Sequence, residues 1–167
     1  MDIVYRVAQA NDAEALLLHL ECVGGETDYL SFGKDTFKIS VEKEARFIEK
    51  FYNSKKDVMF VAMDGERVVG NASLVRNRID RYSHRAELSI TVLRDYWGRG
   101  IGNRLMQLMI DFAKETKCEI IYLETRSDNV SAISLYKKFG FEKIGVYNNF
   151  FKINGEYFNA DLMVLYL

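Results

Sequence analysis

The sequence predicts an α/β fold: a mixed, mostly antiparallel twisted sheet of about seven strands, flanked by about four helices. Three observations carry this. Segments of period-two alternation, such as Arg85 to Val92, are interleaved with segments of helical period, such as Asn103 to Thr116. A hairpin signal at Asp64-Gly65 makes the first half antiparallel, whereas strand and helix alternate in the second half and bring crossovers. A chain of 167 residues with 49% apolar and 28% charged side chains can bury one substantial core, and no repeat, low-complexity tract or Ser/Gly-rich linker interrupts it. Residues 1–167 therefore read as a single domain.

The elements follow in order. Ile3 to Ala8 alternates as a strand, and Asn11 with Glu14 has the spacing of a capping pair that opens a helix through Val23. An irregular stretch, GGETDYLSFGKDTFKI, leads to Ser40, which can cap a second helix with Val41, Ala45, Ile48 and Tyr52 on one face. VMFVAM and RVVGNASLV form the hairpin around Asp64-Gly65. In RAELSITV, apolar Ala86, Leu88, Ile90 and Val92 alternate with Glu87, Ser89 and Thr91, so one face of this strand is polar. A helix from about Asn103 to Thr116 follows, with Leu105, Met109, Phe112 and Ala113 at core spacing. IIYLET is a further strand, and NVSAISLYKKFG is a helix stopped by Gly140. FEKIGVY is a strand, and Asn154-Gly155 turns the chain into a last one, EYFNADLMVLYL.

Composition excludes several classes. The net charge of -1 gives no steering toward nucleic acid or an acidic membrane surface. No basic region followed by an apolar run opens the chain and no apolar stretch reaches spanning length, which predicts a cytoplasmic protein without a membrane partner. Cys22 and Cys118 stand apart without His or Cys neighbours at metal spacing, so free thiols are expected, and no metal site. His19 lies in an apolar helix and reads as a packed core residue.

One loop raises a chemical question. RDYWGRGIG places Gly98, Gly100 and Gly102 at alternate positions before a helix, where unpaired N–H groups and the positive end of the helix dipole suit a phosphate. A turn that only permits close strand-to-helix packing is the alternative. The dinucleotide fingerprint needs a glycine where Asn103 stands, and the triphosphate loop needs Lys-Ser/Thr where Asn103 and Arg104 stand.

Together with NVSAISLYKKFGFEKIG, the loop resembles the GNAT superfamily of N-acetyltransferases. The family's pyrophosphate loop aligns with Trp97-Gly98-Arg99-Gly100-Ile101-Gly102, with Trp97 in place of the usual Arg or Gln. Its later motif is matched at Asn129, Ala132, Leu135, Tyr136, Gly140 and Phe141. The resemblance implies a GNAT-like sheet with a splay between the fourth and fifth strands, acetyl-CoA as cosubstrate, and direct attack by a primary amine in a ternary complex. It further implies that the pantetheine arm pairs with the free edge at Ile90 and Val92. The pyrophosphate would meet the loop from Trp97 through Asn103, where Arg99 can add a charged contact or stand in solvent. Asn129 looks like the contact to the cofactor arm and also like a plain helix cap, and Tyr136 matches the general acid for the CoA sulfur.

Glu87, on the polar strand face, is the favoured base through water, with Glu124 second; solvent exposure or pairing with Arg85 is the plain reading of Glu87. Glu26, Asp28 and Tyr29, in the segment that the resemblance lays over the acceptor, can hold a cationic amine or be loop structure. The acceptor is expected to be a small molecule or peptide amine. A non-catalytic CoA-binding sensor or scaffold of the same fold is the competing class. The aromatic tail from Tyr147 to Leu167 offers more apolar side chains than one sheet face needs and suggests a homodimer.

Overall fold

The computed structural model describes residues 2–167. Strand β1 (Val4–Val7) leads through a 3-10 turn into helix α1 (Ala13–Glu26), and α2 (Val41–Tyr52) precedes β2 (Val58–Asp64), β3 (Arg67–Arg76) and β4 (Arg85–Val92). Helix α3 (Ile101–Glu115), β5 (Ile120–Arg126), α4 (Val130–Lys138), β6 (Glu142–Ile153) and β7 (Glu156–Tyr166) complete the chain. One sheet carries the strands in the order β1-β2-β3-β4-β5-β7-β6. Every neighbouring pair is antiparallel except β4 with β5.

Each face of the sheet has its own buried cluster. On one side α1 and α2 bring Leu16, Ile48 and Phe51 against Met59, Val61 and Val68. On the other, Ile101, Leu105 and Met109 of α3 pack on Ala72, Leu74 and Leu88. Gly70 lets α3 pack close to β3: a Cβ there would stand 3.0 Å from a methyl of Ile101.

Several local expectations need correction. The entry to α1 is organised by Asp12 rather than by Asn11 with Glu14. The Gln9 N–H donates to Asp12 Oδ2 at 2.8 Å, and the Arg6 guanidinium donates to both Asp12 oxygens at 2.6 and 2.7 Å. Burial pushes the Asp12 carboxyl upward, but these donors outweigh it and hold it below the ordinary value. Helix α1 also runs three residues past Val23, and within that extension Gly24 lets the backbone of Gly33 close on it: a Cβ would meet the Gly33 oxygen at 2.7 Å. In α2, Phe51 and not Tyr52 faces the core, and Tyr52 is exposed. Ser40 does cap α2, accepting from the Lys43 N–H. Strand β6 extends beyond Tyr147 to Ile153, since pairing with β7 resumes after an irregularity between Tyr147 and Phe151, where Asn149 has φ 56°.

His19 is buried, as expected of a core residue. Its Nδ1 lies 3.1 Å from the Val68 oxygen and its Nε2 2.8 Å from Thr91 Oγ1, so α1 is fastened to both β3 and β4. Desolvation lowers its pKa to about 4, helped by the Arg67 charge and opposed by the Val68 contact.

Candidate active site

The site begins where β4 and β5 part. They pair only over Arg85–Glu87 and Ile120–Tyr122, whereas β5 stays paired with β7 from Ile120 through Arg126. The Arg85 oxygen and the Leu93 N–H both bond toward β3, through Asn77 and Val69. Strand alternation therefore aims the peptide groups of Ile90 and Val92 at the opening. The Val92 oxygen is already occupied, accepting the Trp97 indole N–H at 2.8 Å, which leaves the Ile90 groups and the Val92 N–H as the free edge.

A cleft of about 720 Å³ fills this opening and brings together Ile90, Val92, Trp97, Gly98, Asn129 and Tyr136. At its end stands the N-terminus of α3. Gly98 and Gly100 have φ of 75° and 80°, a region that L side chains rarely adopt, and a Cβ on either would point into open space. The first intrahelical bond is donated by Arg104 to Gly100, so the N–H groups of Ile101, Gly102 and Asn103 have no helical acceptor. Gly102 does different work: a Cβ there would lie 3.3 Å from a Leu135 methyl, so this glycine sets the approach of α3 to α4. The close-packing reading applies at Gly102, while Gly98 and Gly100 leave open space before the helix. Arg99 stacks over the Tyr96 ring at 4.8 Å and is not among the residues that line the cleft.

Tyr136 is buried in α4, its ring 5.8 Å from that of Phe141. Its hydroxyl makes no hydrogen bond with any described residue, yet it is not sealed from the cleft. Desolvation raises its pKa to about 12. Asn129 caps α4 by accepting the Ala132 N–H at 3.3 Å, while its amide nitrogen has no partner among the described residues. Lys138, which the sequence did not single out, reaches across to Asn103 Oδ1 at 2.6 Å and puts a cation beside the α3 N-terminus.

Glu87 and Glu124 both line the cleft. Glu87 is in register with Tyr122, so Glu124, two residues on, shares its face of the sheet. Burial, then the charge of Glu87, raises the Glu124 carboxyl above its ordinary value. Tyr122 between them is also raised, by burial and then by Glu87.

The three residues expected around an acceptor are placed differently. Glu26 lines the cleft, but its Oε2 accepts the Arg94 N–H at 2.9 Å and its backbone oxygen accepts from the Arg94 guanidinium. The Asp28 side chain is not part of the lining, and its backbone oxygen accepts from Arg126 Nη1 at 3.2 Å. Tyr29 lines the cleft with its ring 4.9 Å from the Arg126 guanidinium. Arg126, buried at the end of β5, is thus the post to which this segment is tied, and Asp128 pairs with it at 2.6 Å. Its only sequence signal was its place before the turn that ends in Asn129.

The model of the Acetyltransferase (GNAT) family matches residues 28–141. The chain belongs to the GNAT acetyltransferase family. Its likeness to an N-alpha-acetyltransferase of Mycobacterium tuberculosis is 35% identity over 95 residues, which cover 56% of this chain and 58% of that protein. A spermidine N(1)-acetyltransferase of Escherichia coli is 28% identical over 134 residues, 80% of this chain and 70% of that one. A GNAT-family acetyltransferase from Streptococcus pneumoniae superposes with a TM-score of 0.96 at 25% identity, covering 99% of this chain and all of the other. A Salmonella typhimurium acetyltransferase solved with acetyl-CoA shares the fold with a TM-score of 0.86 at 19% identity, covering 99% and 94%.

GNAT membership fits the geometry of the parted strands. The usual Arg or Gln of the family loop is Trp97 here, and the indole uses that position to close the β4 edge at Val92. No helix among the described residues is long and apolar enough to cross a membrane.

Proposed function

We propose that the protein is an N-acetyltransferase that uses acetyl-CoA and passes the acetyl group to a primary amine by direct attack. The observation that carries this is the meeting, in one cleft, of an open helix N-terminus, a free strand edge and an unpartnered tyrosine hydroxyl. Acetyl-CoA, when bound, supplies the acetyl group as an activated thioester.

The chain's own groups divide the work. The N–H groups of Ile101, Gly102 and Asn103, with the Lys138 ammonium, suit a pyrophosphate, and Gly98 and Gly100 leave room for it. The Ile90 peptide and the Val92 N–H would pair with the amides of the arm, and the spare Asn129 amide with another of its oxygens. Tyr136, at about 12, stays protonated next to a thiol whose ordinary pKa is about 8.5, so it donates a hydrogen bond to the departing sulfur and does not compete for its charge.

Of Glu87 and Glu124, which both line the cleft, Glu124 is taken as the base. Its carboxyl is raised above the ordinary value, by desolvation first and then by Glu87, so it holds a proton more readily than an unperturbed carboxylate. Glu87 serves as the neighbouring charge that raises it. The amine would lose its proton through water to this pair and attack from the α1 side of the sheet. The acceptors of relatives, spermidine and L-amino acids among them, support an amine as nucleophile. Such an enzyme would act in the cytoplasm as one domain. A homodimer, supported by exposed Ile144, Tyr147, Tyr157 and Tyr166 on the last two strands, completes the proposal.

The test is thiol release from acetyl-CoA by the purified protein with a panel of primary amines. Amine-dependent release is expected. Binding of CoA with no release by any amine would make the protein a sensor instead.

A further inference from the structure

We infer that the acceptor is a primary amine on an apolar body without a carboxylate, as in an aralkylamine or a peptide whose first residue is large and apolar. This rests on the N-acetyltransferase reading and follows from which charges at the acceptor mouth are free.

The anions come to a single focus. The Glu26 carboxylate is turned to the Arg94 backbone N–H and the Asp28 side chain is outside the lining, whereas Glu87 and Glu124 lie together on one face of adjacent strands. One ammonium is well placed there; the second of a polyamine would have to lie against the walls. Those walls are apolar. Leu30 and Phe32 come from the segment after α1, and Phe150 and Phe151 from β6, packed edge to face with ring centroids 4.8 Å apart. Phe150 is 39% exposed and Tyr29 38%, so both rings offer surface that the chain itself does not cover.

The cations nearby are committed. Arg126 is buried, bonded to Asp128 and to the Asp28 backbone oxygen, with its guanidinium 3.7 Å from the Phe158 ring centroid. Arg85 stacks on Tyr122 and Tyr82 at 4.8 and 5.6 Å and does not line the cleft. Lys138 does, but it serves Asn103 at the far end. A carboxylate attached next to the reacting amine would therefore meet Glu87 and Glu124 with no cation lining the cleft beside them, and like charges at such short range repel.

The experiment compares phenylalaninamide, free phenylalanine, alaninamide, spermidine and an amidated tripeptide beginning with Phe, measuring kcat/KM by thiol release. Phenylalaninamide is expected to exceed both phenylalanine and alaninamide by about tenfold or more. The ratio of tripeptide to phenylalaninamide then tells whether a peptide or a small amine is the better source of the same chemistry. Phe151→Ala should erase the preference over alaninamide while leaving the KM for acetyl-CoA unchanged; Phe150→Ser, on the more exposed ring, gives the same test if that variant fails to fold. Equal or better turnover of phenylalanine or spermidine would overturn the inference. If no amine releases thiol, the transferase reading fails separately. The acceptor chemistry is then judged by the same ranking in the melting temperature of the CoA complex, and an absent or reversed ranking overturns it.

Discussion

Replacing His19 by Gln tests the packing of α1, the helix that leads into the segment lining the cleft. The buried imidazole bridges the Val68 oxygen and Thr91 Oγ1 and has a pKa of about 4 in place of the ordinary 6.5. Because the folded value is depressed, the unfolded chain binds the proton first as pH falls, so stability is intact above about pH 6.5 and is lost toward about pH 4. The full gap corresponds to about 3 kcal/mol, of which about 2 kcal/mol falls between about pH 7 and about pH 5. For a chain of this size that is a melting-temperature drop of about 4–8 °C. Asp12, Asp128 and Asp161 are held low and titrate beneath this window, while the raised Glu44 and Glu124 change stability in the opposite sense. Those groups are common to both proteins, so the difference between wild type and His19→Gln isolates the imidazole. Chemical denaturation followed by circular dichroism should show the variant weaker by about 1–3 kcal/mol near pH 7, from the lost hydrogen bonds, and converging on wild type near pH 5. Parallel pH profiles would refute the reasoning.

Two further outcomes follow from the cleft. Gly100→Val places a β-branched side chain at φ 80°, which should cost about 1–3 kcal/mol and remove the rise in melting temperature that acetyl-CoA gives, whereas Gly102→Ala, in ordinary helical backbone against Leu135, should keep that rise; calorimetry of both variants distinguishes them. Glu87→Gln removes the anion that raises Glu124, so the acidic limb of the kcat profile should move to lower pH; an unmoved limb in steady-state kinetics would separate the two carboxylates.

Much of this was legible in the sequence because local and global signals agree. Period-two and helical patterns located all seven strands and four helices, and the glycine turns placed both hairpins. What escaped depends on contacts between distant segments. Asp12 organises the entry to α1 through Arg6, and the end of α1 packs on Gly33 through Gly24; neither partner can be chosen without the fold. The same holds at the site. Tyr136, Glu87 and Asn129, expected from motif and alternation, do line the cleft, but the engagement of Glu26 by Arg94, the tying of Asp28 to Arg126 and the reach of Lys138 to Asn103 join residues that spacing cannot pair. The three loop glycines looked alike as letters. Backbone angle separates two of them from the third.

The most direct measurement is acetyl transfer by Tyr136→Phe alongside its response to acetyl-CoA. The hydroxyl makes no hydrogen bond with the described residues, so its removal should leave the fold and the acetyl-CoA-dependent rise in melting temperature intact. Turnover to a primary amine should fall by about 100-fold or more, because the departing sulfur loses its donor. Undiminished turnover with the rise in melting temperature retained would contradict the assignment of this cleft as the place where the thiol leaves.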